Sequence, residues 1–397
     1  MTRRCLIWLA VVLLVVGVVG DAAAQGIKVG AVVPLTGRYA SLGAQVKAGY
    51  EIAVEHINGA GGVTVAGRKM PLEVVMLDDE SDPTKTVQRL ETLAAQGVVA
   101  YLGGAGSDLH AAAASIAEKN KVPYLGIAFA LYAIHQQGFR YLFSPFVKSP
   151  DLTKETFVFF DASIPAAQRP RKVALFLEKT DWGKEMGALW EARGKEHGYQ
   201  VVMSAEYAPG AKDFSDLVLK AKSAGAEAVF AVPTPPDGMT IFKQMKELDF
   251  NAKAYVFVRA PDAPVWGQNL GRDGDDVVLM PGWHNAYRYP KVAELNEAYR
   301  KRVGRPADVL TGPAYTCIQI LADAVQRAGA LDRGKIRDAI AATNMMTVSG
   351  PVRFRPDGVG DVGVPFLQWQ KGKHELVWPK EFATAPFVYP APPWGQR

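Results

Sequence analysis

The chain has 397 residues, 49% of them hydrophobic and 21% charged, which is enough for two domains with sizeable cores and excludes both a disulfide scaffold and a disordered chain. Its formal charge of +5 is spread along the sequence with no run of five or six basic residues, so the electrostatic footprint of a nucleic-acid binder is missing. Two cysteines rule out a cysteine-rich fold.

Arg3 and Arg4 precede an uncharged apolar run from Leu6 to Gly20, followed by the small residues Ala22, Ala23 and Ala24. Residues 1–24 therefore read as a secretory leader, which places the mature chain outside the cytoplasm. An uncleaved anchor is the alternative, against which the run is shorter than the about 20 residues a span needs. Cys5 stands before the apolar core, the wrong place for a lipid-modified N-terminus. Cys317 lies in the apolar helical pattern Tyr315–Val325 and reads as a buried, inert thiol.

From Ile27 to Val33 the chain reads as a strand, followed by a glycine-containing loop and a helix whose Val46, Tyr50, Ala53, Val54 and Ile57 recur until Asn58-Gly59. Leu72–Leu77 is the next strand, and Asp82-Pro83 reads as an N-cap with proline at the first helical position of a helix to about Gln96. Val98–Leu102 is a strand, Ser107 or Asp108 caps a helix to Asn120, and Val122–Ile127 is another strand. The pattern pauses between Phe146 and Pro170 and then restarts. Strands Val173–Leu177, Tyr199–Glu206, Ala228–Val232, Ala254–Val258 and Val277–Met280 are interleaved with helices Trp182–Glu196, Asp213–Ala224 and Gly238–Leu248. Three consecutive helices follow, Lys291–Val303, Pro313–Ala328 and Gly334–Ala342, then short strands at Val352–Phe354, Phe366–Lys371 and Glu375–Trp378. The proline-rich tail to Arg397 reads as surface-bound or loose. Continuous apolar strands alternating with helices predict parallel sheets covered on both faces, hence an α/β fold of two doubly wound, Rossmann-like lobes.

In such sheets ligands lie beyond the carboxyl ends of the strands, where loops converge and helix N-termini expose free N–H groups. That rule selects Thr36–Gly43, including Tyr39 and Leu42; Gly103–Ser107; Ala128, Phe129 and Ala130; Thr180–Trp182; Pro233–Asp237, including Thr234; and Arg259–Asp262. Ser107 is either a hydroxyl for a ligand carboxylate or a plain helix cap. Trp182 is either an apolar wall over a ligand or helix-to-lobe packing, and Arg259 either a bidentate carboxylate grip or a solvated strand end.

Other chemistry lacks its pattern. Gly103-Gly104-Ala105-Gly106 is without the third glycine of a dinucleotide loop and no G-K-[ST] follows. No G-x-S-x-G elbow surrounds Ser107 or Ser349, the six histidines show no H-E-x-x-H spacing, and Asp78-Asp79-Glu80 lacks EF-hand spacing. No enzyme activity, metal or cofactor is expected.

The opening Ile27–Gly43 with Thr36-Gly37, the helix end Glu55-His56-Ile57-Asn58-Gly59-Ala60-Gly61-Gly62-Val63, and Asp78-Asp79-Glu80-Ser81-Asp82-Pro83 are matched later by Lys212-Asp213-Phe214-Ser215, Arg327-Ala328-Gly329, Gly350-Pro351-Val352-Arg353-Phe354 and Asp357-Gly358. In this order they resemble the leucine/isoleucine/valine-binding family of solute receptors for ABC importers, from about Ile27 to Trp369. The resemblance implies a type I periplasmic binding fold, a flytrap with crossings near Phe146–Lys148, Met280–Gly282 and Gly350–Val352. The first lobe would be residues 25–146 with 283–350, and the second 147–282 with 351–397. It also implies a monomeric receptor, in the periplasm, that delivers a small solute to an inner-membrane ABC permease; a ligand-sensing module of a periplasmic signalling system is the alternative.

The same resemblance implies that Ser107 and main-chain groups at Ala128 and Ala130 hold a ligand carboxylate and amine, with Trp182 as the aromatic of the second lobe. Ala130 stands where a threonine is common, and neither Arg259 nor Ala260 is the acid expected opposite an ammonium. A buried ammonium without counter-charge is strongly disfavoured unless Asp237 or Asp262 supplies one. The expected ligand is therefore a carboxylate-bearing, partly apolar or aromatic solute. Ser107, the main chain at Ala128 and Phe129, and Arg259 would hold its carboxylate, and Phe129 and Trp182 would flank its body.

Overall fold

The computed structural model describes residues 26–397, so the leader read over residues 1–24 lies outside the described residues. The first lobe is built from β1 (Ile27–Val33), α1 (Ala40–Gly59), the hairpin β2 (Val63–Val65) and β3 (Arg68–Met70), β4 (Leu72–Asp78), α2 (Pro83–Ala95), β5 (Tyr101–Gly103), α3 (Ser107–Asn120), β6 (Tyr124–Leu125) and β7 (Leu142–Phe143). Its main sheet runs β4-β1-β5-β6-β7, every pair parallel, with Val29 opposite Val74 and Gly30 opposite Tyr101. Strand β1 is buried at every position but Lys28, as a central parallel strand sandwiched between helices must be. Asp82 caps α2, accepting from the Thr84 and Lys85 amides at 2.7 and 3.1 Å, and Pro83 opens the helix. β5 and β6 are shorter than the apolar runs suggest: β5 begins only at Tyr101 and runs through Gly103, and β6 ends at Leu125, before Gly126 and the loop that forms the site.

The second lobe follows as α4 (Ser149–Ser163), β8 (Lys172–Glu178), α5 (Asp181–Glu196), β9 (Gln200–Tyr207), α6 (Ser215–Ser223), β10 (Ala228–Ala231), α7 (Pro235–Glu247), β11 (Ala254–Phe257), α8 (Val265–Leu270) and β12 (Val277–Leu279). The chain then returns to the first lobe with α9 (Val292–Val303), α10 (Thr311–Ala328), α11 (Arg333–Ala341) and the hairpin β13 (Asn344–Thr347) with β14 (Gly350–Arg353). It ends in the second lobe with β15 (Phe366–Gln370) and β16 (Lys373–Trp378), which add antiparallel to β12 and complete the order β16-β15-β12-β11-β10-β8-β9.

One expectation changes. Ser144 and Val359 form a parallel bridge, with Ser144 N–H donating to Gly358 O at 2.8 Å and Gly360 N–H to Ser144 O at 2.9 Å. Residues 350–360 thus extend the β7 edge of the first lobe, and the third crossing falls at 361–365 instead of Gly350–Val352. Of the two readings of the tail, surface-bound is the one that holds. The Trp394 indole is buried and donates to Phe250 O at 3.0 Å, Ala391 N–H donates to Lys253 O at 2.8 Å, and the Arg397 guanidinium lies 3.8 Å over the Trp394 ring.

Helix α10, buried along most of its length, packs on α1. The approach is close because Gly49 has no side chain: a Cβ there would sit 2.4 Å from Thr311 O and 2.6 Å from the Ala314 Cβ. Cys317 lies in the same helix, fully buried, and burial pushes its thiol pKa up, in keeping with an inert residue. Gly49→Val is expected to force the two helices apart and cost about 2 kcal/mol or more. Urea unfolding checks this, and a midpoint equal to that of the unmodified protein would contradict the packing described.

Candidate ligand-binding site

Between the lobes lies a cleft lined from the first lobe by Leu42, Ser107, Ala128, Phe129 and Ala130 and from the second by Trp182, Val258, Arg259 and Asp262, with Phe146, Leu152, Met280 and Leu310 closing its apolar wall. A contiguous compartment, sharing Ser107, Trp182 and Arg259, continues to Tyr39, Asp108 and Glu178. Seven of the eight residues selected at strand ends that were expected to line the site other than Thr234 meet here by side chain or main chain: Leu42, Ser107, Ala128, Phe129, Ala130, Trp182 and Arg259, with Tyr39 in the adjoining compartment.

Ser107 is the first helical residue of α3, and Gly106 occupies the cap position. Its hydroxyl makes no bond to its own helix; it accepts from Ala130 N–H at 3.3 Å and Leu131 N–H at 3.4 Å. Neither Ser107 nor Asp108 is thus a plain cap. The carbonyls of this loop are already committed: Ala128 O accepts from Gly106 N–H at 3.1 Å, Phe129 O from Lys148 Nζ at 2.9 Å, and Ala130 O from Ser149 N–H and Oγ, both at 2.9 Å. What the loop presents to the cleft is the Ser107 hydroxyl, whose oxygen is filled by two amides and whose proton is left to donate to an anion.

Arg259 faces the cleft but is no free grip. Buried, with φ of 83°, its guanidinium donates through Nε to Pro233 O at 3.1 Å and through Nη2 to Val232 O at 2.9 Å, forms an ion pair with the fully buried Glu178, and donates through Nη1 to the Tyr39 hydroxyl at 3.3 Å. Burial pulls its pKa down, but the charge and hydrogen bond of the Glu178 carboxylate, with Tyr39 and Tyr207, together outweigh that and the net shift is upward. The expected carboxylate grip is corrected accordingly: its charge is matched from within the protein. The plane also stacks between Trp182, 4.7 Å from that ring, and Tyr39 at 5.2 Å, so Arg259 fixes the two aromatics that border the ligand space. Tyr39 in turn donates to Asp108 at 3.1 Å, and Asp108 pairs with Arg38. Trp182, buried, donates its indole N–H to Ser149 Oγ at 3.2 Å, so it is both wall and packing.

Thr234 is not among the lining residues. Its hydroxyl caps α7 by accepting from Asp237 N–H at 3.3 Å. The Asp237 carboxylate is spent as well, on Gly210 N–H at 3.0 Å. Asp262 is different. It lines the cleft, it is buried, and its Oδ1 has no hydrogen-bond partner among the described residues; burial raises its pKa well above the ordinary carboxyl range, with Arg259 opposing. Its main chain is held from the other lobe, where Gln45 Nε2 donates to Asp262 O at 3.1 Å while Gln45 Oε1 accepts from Leu310 N–H at 3.1 Å. A second link between lobes is Glu185 of α5, which accepts from the Tyr132 and Ala133 amides, each at 2.8 Å. Sequence reading passed over Glu178, Gln45, Glu185 and Lys148. Glu178 alone had a local signal, a carboxylate at the end of an otherwise apolar strand.

Among the described residues no helix is long and apolar enough to cross a membrane. A family model described as "Periplasmic binding protein" matches residues 26–374. The Leu/Ile/Val-binding protein homolog 7 of Brucella abortus (strain 2308) is 26% identical over 384 residues, covering 93% of this chain and 95% of that protein. Among solved structures, the leucine-binding protein of Thermotoga maritima MSB8 superposes with a TM-score of 0.79 at 24% identity, covering 88% of this chain and 97% of that one. A solute-binding protein of an ABC transporter from R. palustris, in complex with benzoate, gives a TM-score of 0.76 at 18% identity over 92% of this chain and 98% of that one. At these identities the structures share the fold, two α/β lobes with a cleft between them.

The Phe129 wall rests on imidazoles. His110 stacks on it at 4.1 Å between centroids and His135 at 5.8 Å, and burial pulls each histidine pKa down to about 3. A pKa lowered in the folded state gives stability that is present above the unfolded value of about 6.5 and lost as pH falls below it. Asp79, pushed up to about 6 by burial, and Asp262 and Asp276, also raised by burial, work in the opposite direction, while the buried His374, drawn down to about 4, adds to the histidine loss. At pH 5 the two histidines should cost on the order of 2 kcal/mol each relative to pH 7. Urea titrations at the two pH values on the unmodified protein and on His135→Gln test this: the change in stability from pH 7 to pH 5 should be less unfavourable in the variant, and the same change in both proteins would contradict it.

Proposed function

The chain belongs to the periplasmic binding protein family, and from that premise we propose that it is the extracytoplasmic receptor of a branched-chain-amino-acid-type ABC importer, closing its lobes on a small carboxylate-bearing solute with a largely apolar body. It passes that solute unchanged to a permease in the inner membrane. The observation that carries this reading is the Ser107 hydroxyl with the Ala130 and Leu131 amides, set in a cleft otherwise walled by Leu42, Phe129, Phe146, Leu152, Trp182, Val258, Met280 and Leu310. A carboxylate leaves water only where donors replace its hydration, and an apolar body gains from the remaining wall. The two solved relatives named for leucine and for benzoate bind ligands with that same pairing of a carboxylate and an apolar body.

Asp262 widens the range to amino acids. An ammonium beside its unpartnered oxygen would favour the ionised carboxylate and supply the counter-charge that Asp237 cannot. An aromatic acid without an amine would leave Asp262 protonated. Glu185 and Gln45 hold the lobes together by a small number of hydrogen bonds, so a ligand shifts an open–closed equilibrium by binding the closed form better.

Calorimetry on refolded, ligand-free protein with leucine, isoleucine, benzoate and their amides tests the proposal. One-to-one binding of at least one acid, with the solute recovered unchanged, is expected. Ser107→Ala should weaken it by about 1.5–3 kcal/mol, the value of a hydrogen bond to a charged group. Tight binding of amides but of no acid, or an unaltered affinity in Ser107→Ala, would overturn it.

A further inference from the structure

Lys148, at the first crossing between the lobes, is fully buried. Its Nζ donates to Phe129 O at 2.9 Å and to Ser144 Oγ at 2.7 Å and lies 3.6 Å from the Phe129 ring centroid. Among the described residues it forms no ion pair; the charged groups that act on it, Asp151, Glu185, Arg355 and Asp357, do so from farther away. An ammonium taken out of water without a counter-ion is costly, and the other buried cation at the cleft, Arg259, has Glu178 as its carboxylate. A hydrogen-bonding pin for a loop has no need of a charge.

The position of the charge gives it a use. Phe129 O and Ala130 N–H belong to one peptide unit. Lys148 binds the carbonyl end, and the N–H end points to Ser107 Oγ. The next unit repeats the arrangement with Ser149 on Ala130 O and Leu131 N–H on Ser107 Oγ. A cation on a carbonyl polarises the peptide and strengthens its N–H as a donor, and in a desolvated site its field reaches several ångströms.

We propose that Lys148 is the positioning residue that makes this cleft select anions: its ammonium, acting through the Phe129–Ala130 peptide, favours a carboxylate at Ser107 over the neutral amide of the same molecule, and that carboxylate supplies the counter-charge the protein withholds. The inference rests on the carboxylate reading given above. Burial draws the Lys148 pKa well below that of an ordinary lysine, so an arriving carboxylate is what favours the ammonium form.

The test is the ratio of affinities for acid and amide, measured by calorimetry with benzoate against benzamide and leucine against leucinamide on the full described chain. Unmodified protein should prefer the acid in whichever pair binds. Lys148→Gln, which keeps hydrogen-bonding groups without the charge, and Lys148→Met should each lower acid affinity about tenfold while leaving amide affinity within about twofold. Ser144→Ala removes a partner of Lys148 but keeps its charge and should keep the preference. An unchanged acid-to-amide ratio in Lys148→Gln overturns the inference while leaving the receptor reading intact. If the unmodified protein shows no preference in either pair, or binds neither acid, the carboxylate reading falls and the inference with it. Should both lysine variants fail to fold, the Lys148 Cε resonance in 13C-lysine-labelled protein decides: a shift on adding the acid and not the amide supports the inference, and equal responses overturn it.

Discussion

Removing a charge from water is the constraint under which this cleft is built. Arg259 is admitted to the interior because Glu178 meets it there and two carbonyls take its remaining donors; without the pair, a guanidinium under the second lobe would be strongly destabilising. With the pair, the floor of the cleft is electrically matched, and the stacked Tyr39 and Trp182 gain a rigid support. What remains unmatched lies elsewhere: the Ser107 hydroxyl proton, since its oxygen accepts two amides and donates to no described residue, a carboxyl oxygen on Asp262, and the charge of Lys148. These are groups that a ligand, and not the protein, is placed to satisfy.

Two parallel sheets set those groups opposite one another. Because each site loop follows the carboxyl end of a strand, β1, β5 and β6 deliver Leu42, Ser107 and the Ala128–Ala130 loop from one side, and β8 and β11 deliver Trp182, Arg259 and Asp262 from the other. The lobes share no strand in their main sheets. Their contact across the cleft rests on side chains such as Gln45, which bonds the Asp262 carbonyl and the Leu310 amide at once, and Glu185. Links of this kind exchange readily with water, so closure is a balance that a ligand can tip.

Much of the fold was legible because parallel strands buried on both faces read as apolar runs, and because caps such as Asp82-Pro83 are local. The third crossing was misplaced at Gly350–Val352 because pairing of Ser144 with Val359 spans over two hundred residues and leaves no local trace. The same holds for the site. Strand-end position found Ser107 and Arg259, but the partner that neutralises Arg259 is Glu178, 81 residues earlier, and the choice between Asp237 and Asp262 turns on whether Gly210 has already claimed the carboxylate. Lys148 reads in sequence as an ordinary charged residue before a helix; only the tertiary fold shows it sealed beneath Phe129.

The proposed receptor closes its two lobes over a bound acid. Small-angle X-ray scattering of the refolded, ligand-free protein, repeated at saturation with whichever acid it binds, measures this directly. The radius of gyration should fall on binding, and the liganded profile should match the one calculated from the structure described here. An unchanged profile at a concentration where calorimetry shows full occupancy would contradict it.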